Sequence, residues 1–239
     1  MATKGGVNII TNGLVGQIDA SNIANYQFGI PSSNEGFLSP DHEGREFSVE
    51  TDVVTSSLYF QFGADRNTRI QISGTNGDFA STTGPFDLPN FDGYTIEVIF
   101  KRTGFGTWQS GTTNYDGIWN YYWNHYLAFS GNHTGQNYVW GTGLSNYAID
   151  MDEWYSFTTT HDNDEGGNHH KVYADGVLQQ TSNTGNAGSA RRFYCGNWDS
   201  SWAMVGKFGC IRVYNRPLTA EEVLQNYNAT KTRFGFGFD

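Results

Sequence analysis

The sequence predicts an all-β domain that ends in one short helix, and three observations support this prediction. The 239 residues include 30 Gly, 17 Phe, 14 Tyr and 7 Trp, whereas only 16% are charged. This composition is typical of many short strands joined by glycine turns. Several segments alternate with the period of two that a strand requires. The last of these segments is followed by a capped helical segment that ends the pattern.

Alternating runs and one turn motif predict the strands. The run at 94–101 is the clearest, because its even positions, from Tyr94 to Phe100, are all apolar or aromatic. This run predicts a half-buried antiparallel strand. The pair Asp175-Gly176 accepts the positive φ angles of a two-residue turn and predicts a hairpin between 170–174 and 177–181. Weaker runs predict strands at 14–19, 58–62, 69–73, 126–130, 138–141 and 153–160.

The end of the chain predicts a strand, a stop and a helix. Pro217 ends the strand, since proline cannot donate to a ladder. Thr219 and Glu222 have the spacing of a capping box, in which each side chain accepts a hydrogen bond from the backbone of the other residue. In the strand at 206–214, alternation places Phe208, Cys210, Arg212 and Tyr214 on one face and Ile211 and Val213 on the other.

We interpret the chain as one domain. Residues 1–12 form an N-terminal arm, residues 13–230 form the domain, and residues 231–239 form a C-terminal aromatic tail. The polar segments at 21–44 and 74–92 are long for structureless connections, so we expect binding loops or short strands there. The tail carries Phe234, Phe236 and Phe238, which we expect to dock on a partner or an edge strand, with fraying as the alternative.

Composition limits the partners and the compartment. A net charge of −10 and a pI near 4.9 argue against nucleic acid as a partner, which requires a basic surface. The sequence shows neither a membrane-spanning run nor the apolar core of a signal peptide, so we expect no membrane insertion. Cys195 and Cys210 are expected to be reduced thiols, with a bridge between neighbouring strands as the alternative.

Four segments in chain order carry a resemblance to a known family. The segments 13–20, 153–162, 172–176 and 206–227 together resemble the concanavalin A-like lectin/glucanase superfamily, most closely its laminin-G-like branch. The resemblance implies a jelly-roll sandwich of two antiparallel sheets. It also implies that loops or the concave sheet bind carbohydrate or protein ligands.

The start of the chain and its end, with 228–231 and 233–235, are similar to single-domain members found among the virion proteins of tailed phages. This similarity implies a structural, decoration or fibre-type module of the virion, made in the host cytoplasm. It implies a homo-oligomer whose partners are its own or other virion subunits and, as a candidate, a cell-surface glycan. A pure assembly or cement protein without glycan binding is the alternative.

We expect no enzymatic activity. Glucanase members of the superfamily carry Glu-x-Asp-x-Glu or Glu-x-Asp-x-x-Glu on one strand, and this chain has no such run. The nearest match, Asp-Met-Asp-Glu at 150–153, is predicted to be a solvated turn. The alternative, a glycoside hydrolase on the same fold, requires two inward carboxylates about 5–10 Å apart.

The densest candidate site lies in the aromatic segment 105–140. Sugars present apolar C–H faces rimmed by hydroxyls, so their sites combine flat aromatic rings with amides and carboxylates. The alternative interpretation is that these rings build the core or a subunit contact. A second cluster at 196–202 could form a wall of the same site, with a loop that covers the sheet end as the alternative. The candidate stacking residues are Trp119, Tyr121, Trp123 and Trp198, and the candidate orienting residues are Asn114, Asp116, Asn197 and Asp199.

No cofactor is certain from the sequence, and Ca²⁺ is the candidate. A calcium ion bound by Asp116 or Asp199 with backbone carbonyls would suit the resemblance. The segment 162–166 is loosely similar to the first half of a calcium loop, but Tyr173 stands at its twelfth position, so we predict a hairpin turn there. His169 and His170 point to opposite faces of an extended chain and cannot form one site.

Overall fold

A computed structural model describes the strands of both sheets and the C-terminal helix. It has an all-β architecture with one helix at its end, as predicted. None of the helices in the part of the chain described here has the length and apolar character to cross a membrane. The described residues are 8–19, 37–38, 46–50, 54–55, 60–62, 69–73, 93–105, 109–110, 113–122, 125–131, 137–164, 170–183, 193–195 and 204–234.

The first sheet contains nine of the described strands, and all its pairings are antiparallel. The strands are β1 (Leu14–Asp19), β2 (Phe37–Leu38), β4 (Val54–Thr55), β5 (Phe60–Phe62), β7 (Gly93–Arg102), β13 (Trp154–Asp162), β14 (His170–Ala174), β15 (Val177–Ser182) and β17 (Gly206–Tyr214). The main path of this sheet runs in the order β15-β14-β13-β7-β17-β1-β2, and β5 pairs with both β17 and β4.

The second sheet contains the other eight described strands, which are also antiparallel. The strands are β3 (Glu46–Glu50), β6 (Arg69–Ser73), β8 (Gln109–Ser110), β9 (Thr113–Tyr122), β10 (His125–Gly131), β11 (Asn137–Gly141), β12 (Leu144–Ala148) and β16 (Phe193–Cys195). The path of this sheet runs in the order β12-β11-β10-β9-β16-β6-β3, and β8 pairs with β9.

Aromatic side chains join the inner faces of the two sheets. The rings of Phe100 in β7 and Phe129 in β10 meet edge to face, with centroids 5.0 Å apart. Tyr147 in β12 and Phe157 in β13 make a second contact of the same kind at 5.3 Å. Alternate residues of facing strands therefore fill one core between the sheets, as in a β-sandwich.

Strand β7 is buried on both faces, so the prediction of a half-buried strand was wrong. The inner face, including Phe100, packs against the second sheet, whereas the outer face carries Thr95, Glu97 and Ile99. Helix α1 (Ala220–Phe234) covers this outer face. Glu97 is consequently only 1% exposed despite its charge.

A bulge at Gly209 divides β17 into two registers. Phe208 pairs with Phe100, and Cys210 pairs with Ile99, so Gly209 is the extra residue. Cross-strand partners share a face, and therefore Phe208 points into the core between the sheets while Cys210 points outward beneath α1. The prediction that these two side chains share a face was wrong, because an unbroken alternation was assumed across a glycine.

The capping box of α1 is present as predicted. The backbone N–H of Thr219 donates to Glu222 at 3.0 Å, and the N–H of Glu222 donates to the Thr219 hydroxyl at 3.3 Å. Arg216 adds a bidentate pair of hydrogen bonds to the Glu222 carboxylate, at 2.6 and 2.7 Å. Glu222 thus joins the start of the helix to the end of β17.

The helix continues to Phe234, four residues into the predicted tail. Phe234 is 6% exposed and packs with Ile99 and Cys210 beneath the helix. Its predicted role as a partner-docking residue is therefore wrong in this structure, because its ring docks on the protein's own sheet. Phe236 and Phe238 lie outside the described residues.

Three smaller predictions can be compared with the structure. The hairpin at Asp175-Gly176 is confirmed, with φ angles of 49° and 79°. The segment at 150–153 contains a largely exposed turn, as predicted. Residues 163–164 form an exposed bend after β13, and the rest of the hairpin turn predicted there lies outside the described residues. Cys210 is a buried thiol in the first sheet, whereas Cys195 lies in β16 of the second sheet. Apart from β2, the segments 21–44 and 74–92 lie outside the described residues.

Candidate functional site

The predicted sugar-stacking residues do not all reach the surface. Trp119 in β9 is 0% exposed and pairs with Leu127 of the core, so its ring offers no face to a ligand. The alternative interpretation, that this ring builds the core, is correct for Trp119. Tyr121 lies near the end of the same strand. Trp123 and Trp198 lie outside the described residues, and their role remains a prediction.

Of the four predicted orienting residues, the structure describes the backbone of two. Asn114 and Asp116 lie in β9, where they pair with Gly131 and Phe129 of β10. Asn197 and Asp199 lie outside the described residues. Within the described ranges no group of three or more His, Cys, Asp and Glu side chains has the arrangement of a metal site. A calcium site involving Asp116 or Asp199 therefore remains a prediction.

The structure brings together two other rings from the predicted aromatic segment, Tyr126 of β10 and Trp140 of β11. Their centroids lie 5.2 Å apart in an edge-to-face contact. Trp140 pairs with Ala128 and alternates with the buried Val139, which places Trp140 on the outer face of the second sheet. We call Tyr126 and Trp140 the outer aromatic pair.

The neighbouring turn holds Tyr126 in one position. The hydroxyl of Thr142 donates to the Tyr126 carbonyl at 2.6 Å and accepts from its N–H at 3.0 Å. Gly141 has a φ of 119°, and its α-carbon lies so close to the Tyr126 ring that a β-carbon there would overlap the ring. Ser182 anchors the turn by donating to the Thr142 carbonyl at 3.1 Å.

The surface around the outer aromatic pair combines apolar groups with uncharged hydroxyl groups. Both rings are partly exposed, and the indole nitrogen of Trp140 is buried, so the accessible part of that side chain is hydrocarbon. Burial raises the pKa of Tyr126, which keeps its phenol protonated at neutral pH. Ser130 and Tyr138 pair across the adjacent strands and are also partly exposed. This surface can therefore offer both apolar contact and hydroxyl hydrogen bonds.

Three adjacent strands form a buried cluster of rings that the sequence did not reveal. His161 of β13 pairs in register with both Tyr94 of β7 and His170 of β14. The two imidazole centroids are 4.3 Å apart, and the Tyr94 hydroxyl lies 3.5 Å from Nε2 of His170. The three side chains are at most 2% exposed. Only the pairing of three strands reveals this cluster, since the two histidines are not adjacent in sequence.

A buried ion pair lies beneath α1, on the opposite face of the first sheet. Arg212 donates to Glu97 at 2.7 Å, and each side chain is 2% exposed. Asn226 of the helix donates to Glu97 at 3.0 Å and to the Tyr214 hydroxyl at 2.9 Å. Burial raises the pKa of Tyr214, so the phenol stays neutral. Its contacts make Glu97 a structural carboxylate that ties the helix to the sheet.

The family follows from a comparison with family models. A laminin-G-type model, described as belonging to the concanavalin A-like lectin/glucanases superfamily, matches residues 73–224. This match spans well over half of the chain. The chain belongs to this family. Its two antiparallel sheets and single helix agree with that assignment. Among curated proteins, no sequence matches the chain.

Solved structures show the same fold in larger proteins. Trypanosoma rangeli sialidase, in complex with 2,3-difluorosialic acid, aligns with a TM-score of 0.65 at 14% identity, covering 98% of this chain and 35% of the sialidase. The botulinum neurotoxin serotype G binding domain aligns with a TM-score of 0.54 at 16% identity, covering 80% of this chain and 48% of that domain. This chain thus spans about a third of the sialidase and about half of the toxin domain. At these identities the likeness concerns the fold alone.

Proposed function

We propose that this protein is a non-enzymatic, lectin-like module that binds a glycan through the outer aromatic pair. The observation that supports the proposal most directly is the rigid, partly exposed edge-to-face arrangement of Tyr126 and Trp140. The C–H face of a sugar ring would stack on the exposed indole carbons of Trp140. The hydroxyls of Tyr126, Ser130 and Tyr138 would form hydrogen bonds with the sugar hydroxyls. Less entropy would be lost on binding, because Thr142 fixes the Tyr126 backbone while Gly141 and Trp140 pack against its ring.

The arrangement of carboxylates supports binding rather than hydrolysis. Glu97 is a buried carboxylate, and it pairs with Arg212 beneath the helix rather than facing a groove. A retaining or inverting glycosidase requires two carboxylates flanking the bond to be cleaved. We therefore propose that the protein releases the glycan unchanged. Appearance of new reducing ends on incubation with a bound oligosaccharide would overturn this part of the proposal.

We further propose that the module belongs to a virion, as a structural, decoration or fibre-type surface component that assembles as a homo-oligomer. The support for this setting is the similarity of the chain's start and of 228–231 and 233–235 to tailed-phage virion proteins. Its partners would be its own or other virion subunits and a cell-surface glycan. Measurement of the protein's mass in solution tests the oligomer, and an obligate monomer would contradict it.

A glycan array followed by calorimetry on the strongest neutral ligand tests the binding site. We expect Trp140→Ala to weaken binding at least tenfold, which corresponds to about 1.4 kcal/mol. The matched control is Trp119→Phe, which alters a fully buried ring and should leave affinity within about twofold of the parent. Thermal unfolding confirms that each variant is folded.

The same experiment separates the lectin from a pure assembly protein. Binding that Trp140→Ala removes, with an unchanged oligomer mass, supports the lectin. An array without any ligand, or a Trp140→Ala variant that dissociates without losing glycan affinity, would overturn the proposed site. Repeating the array with and without Ca²⁺ tests the predicted cation in parallel.

A further inference from the structure

One edge of the first sheet is an exposed strand without charges. β15 ends the main path of this sheet and, among the described strands, pairs with β14 alone. Most of its side chains are exposed, and residues 176–183 contain no Asp, Glu, Lys, Arg or His. Natural proteins commonly place charges or proline on an edge strand, because its unpaired backbone groups can pair with another chain. β15 has neither a charge nor a proline.

Three exposed apolar side chains lie at this edge. Val177 and Leu178 of β15 and Leu224 of α1 are 59%, 46% and 44% exposed, the largest values for large apolar side chains in the described part of the chain. The hairpin turn contacts the helix here, since a β-carbon on Gly176 would lie 3.1 Å from Cδ1 of Leu224. Leu178 pairs with Tyr173, which packs beneath α1, so Leu178 lies on the helix side of the sheet. We call Val177, Leu178 and Leu224 the edge patch.

The neighbouring edge of the second sheet is uncharged as well. The Ser182 hydroxyl of β15 donates to the carbonyl of Thr142, which lies in the turn between β11 and β12, so the edge strands β15 and β12 lie on the same side of the sandwich. Residues 137–149, which include β11 and β12, contain no Asp, Glu, Lys, Arg or His. Both described edge strands on this side are thus free of charge, in a protein with 24 acidic and 14 basic side chains.

The charge distribution favours a second copy of the same chain as the partner. Two copies with a net charge of −10 repel each other where their acidic faces meet, whereas two uncharged edges meet without that repulsion. The core of a protein–protein interface is depleted of charged residues, as this edge is. A two-fold axis perpendicular to the strand places β15 antiparallel to its own copy, which is a hydrogen-bonding arrangement of neighbouring strands.

A bulge in β15 limits how far two such strands can pair. Val172 pairs with Gln180 and Tyr173 pairs with Leu178, so Gln179 is the extra residue. Because a bulge bends its strand, we expect main-chain pairing between copies on one side of Gln179 only, with the edge patch supplying the remaining contact. A contact about a two-fold axis uses the same edge of both copies, so the assembly closes as a dimer instead of growing into a fibre.

We propose that two copies of this chain associate through β15 and the edge patch, with the two β15 strands antiparallel about a two-fold axis. The first sheets of the two copies then join side by side, and the apolar side chains of both edge patches are removed from water. This inference rests on the homo-oligomer proposed above and names its interface. It does not depend on the proposed glycan site.

Sedimentation over a range of protein concentrations tests the interface, and the parent protein should dimerise. Gln179→Lys and Gln179→Glu should each weaken the dimer at least tenfold, because like charges then face each other near the axis. An equimolar mixture of the two variants should recover the dimer as a 1:1 heterodimer in native mass spectrometry, since opposite charges then meet. Such recovery is specific to an edge that contacts its own copy.

A second variant tests the apolar contact, and a third is the control. The L178Q/L224Q variant should weaken the dimer at least tenfold, because both side chains leave water on association. Thr11→Lys adds a charge at an exposed residue before β1, five strand spacings or about 24 Å from β15, and should leave the dimer unchanged. Thermal unfolding verifies that each variant is folded.

Three results would overturn the proposed interface. A parent protein that stays monomeric at every concentration would overturn it together with the homo-oligomer proposed above. An oligomer that persists in Gln179→Lys and in L178Q/L224Q would overturn the interface alone, since the copies would then meet elsewhere. Equal weakening by Thr11→Lys and Gln179→Lys would also overturn it, because the effect would then be one of total charge and not of position.

Discussion

Replacing Arg212 by methionine should destabilise the protein strongly, because it leaves the Glu97 carboxylate buried without its cation. The ion pair is 2.7 Å long, and both side chains are 2% exposed. Glu97 also accepts from Asn226, which in turn accepts from the N–H of Ile10 at 2.7 Å. The pair therefore connects two central strands, the helix and the segment before β1.

The expected magnitude follows from the burial of the pair. Removing one partner of a buried ion pair typically costs about 3–5 kcal/mol, most of which is the penalty of the remaining charge. For a protein of this size, each kcal/mol lowers the midpoint of thermal unfolding by about 2–4 °C, so Arg212→Met should lower it by about 6–20 °C. Glu97→Gln combined with Arg212→Met should recover more than half of this loss, since no charge is then buried.

Circular dichroism during heating, with urea unfolding as a second measure, compares the parent, both single variants and the double variant. Hydrogen exchange of the α1 amides reports whether the helix detaches first. An Arg212→Met variant within about 1 kcal/mol of the parent would refute the reasoning, because the carboxylate would then be solvated. A double variant less stable than Arg212→Met would refute it as well.

Three further predictions concern the helix and the turns. Gly209→Ala should cost about 1–3 kcal/mol in urea unfolding, because the new β-carbon would overlap the Phe234 ring. Gly176→Ala should cost about 1–2 kcal/mol by the same measure, since its φ is 79°. Arg216 lowers the pKa of Glu222. The ion pair therefore stabilises the folded protein at pH values above the unfolded-state pKa of about 4.3, and this stabilisation is lost as the pH falls through the lower folded-state pKa. Glu222→Gln should therefore lower the free energy of unfolding by about 0.5–1 kcal/mol at pH 7 and by almost nothing at about pH 3. An equal loss of stability at both pH values would contradict the role of the ion pair.

Local signals predicted the hairpin and the helix start correctly. Asp175-Gly176 has the positive φ angles that its residue types favour, and Thr219 and Glu222 exchange the predicted hydrogen bonds. Each of these features depends on atoms within three or four residues. The bulge at Gly209 could also have been inferred, because a glycine inside a strand often marks one.

The candidate site was predicted less well. The aromatic segment was identified as important, but Trp119 proved to be core, while Tyr126 and Trp140 form the exposed pair. Alternation shows which residues share a face and does not show which face the other sheet covers. The ring of Phe234 was likewise assigned to a partner, although it covers Ile99 of its own sheet.

By itself, the sequence determined the all-β class, the turns, the helix cap and the family, because these depend on neighbouring residues and on the order of motifs along the chain. Only the tertiary structure decided which rings are buried and which charges meet. Glu97 and Asn226 are 129 residues apart in sequence, and the pairing of β7 with β17 brings Arg212 to Glu97. Such contacts depend on strand register and helix docking, which are set by the free energy of packing the whole domain.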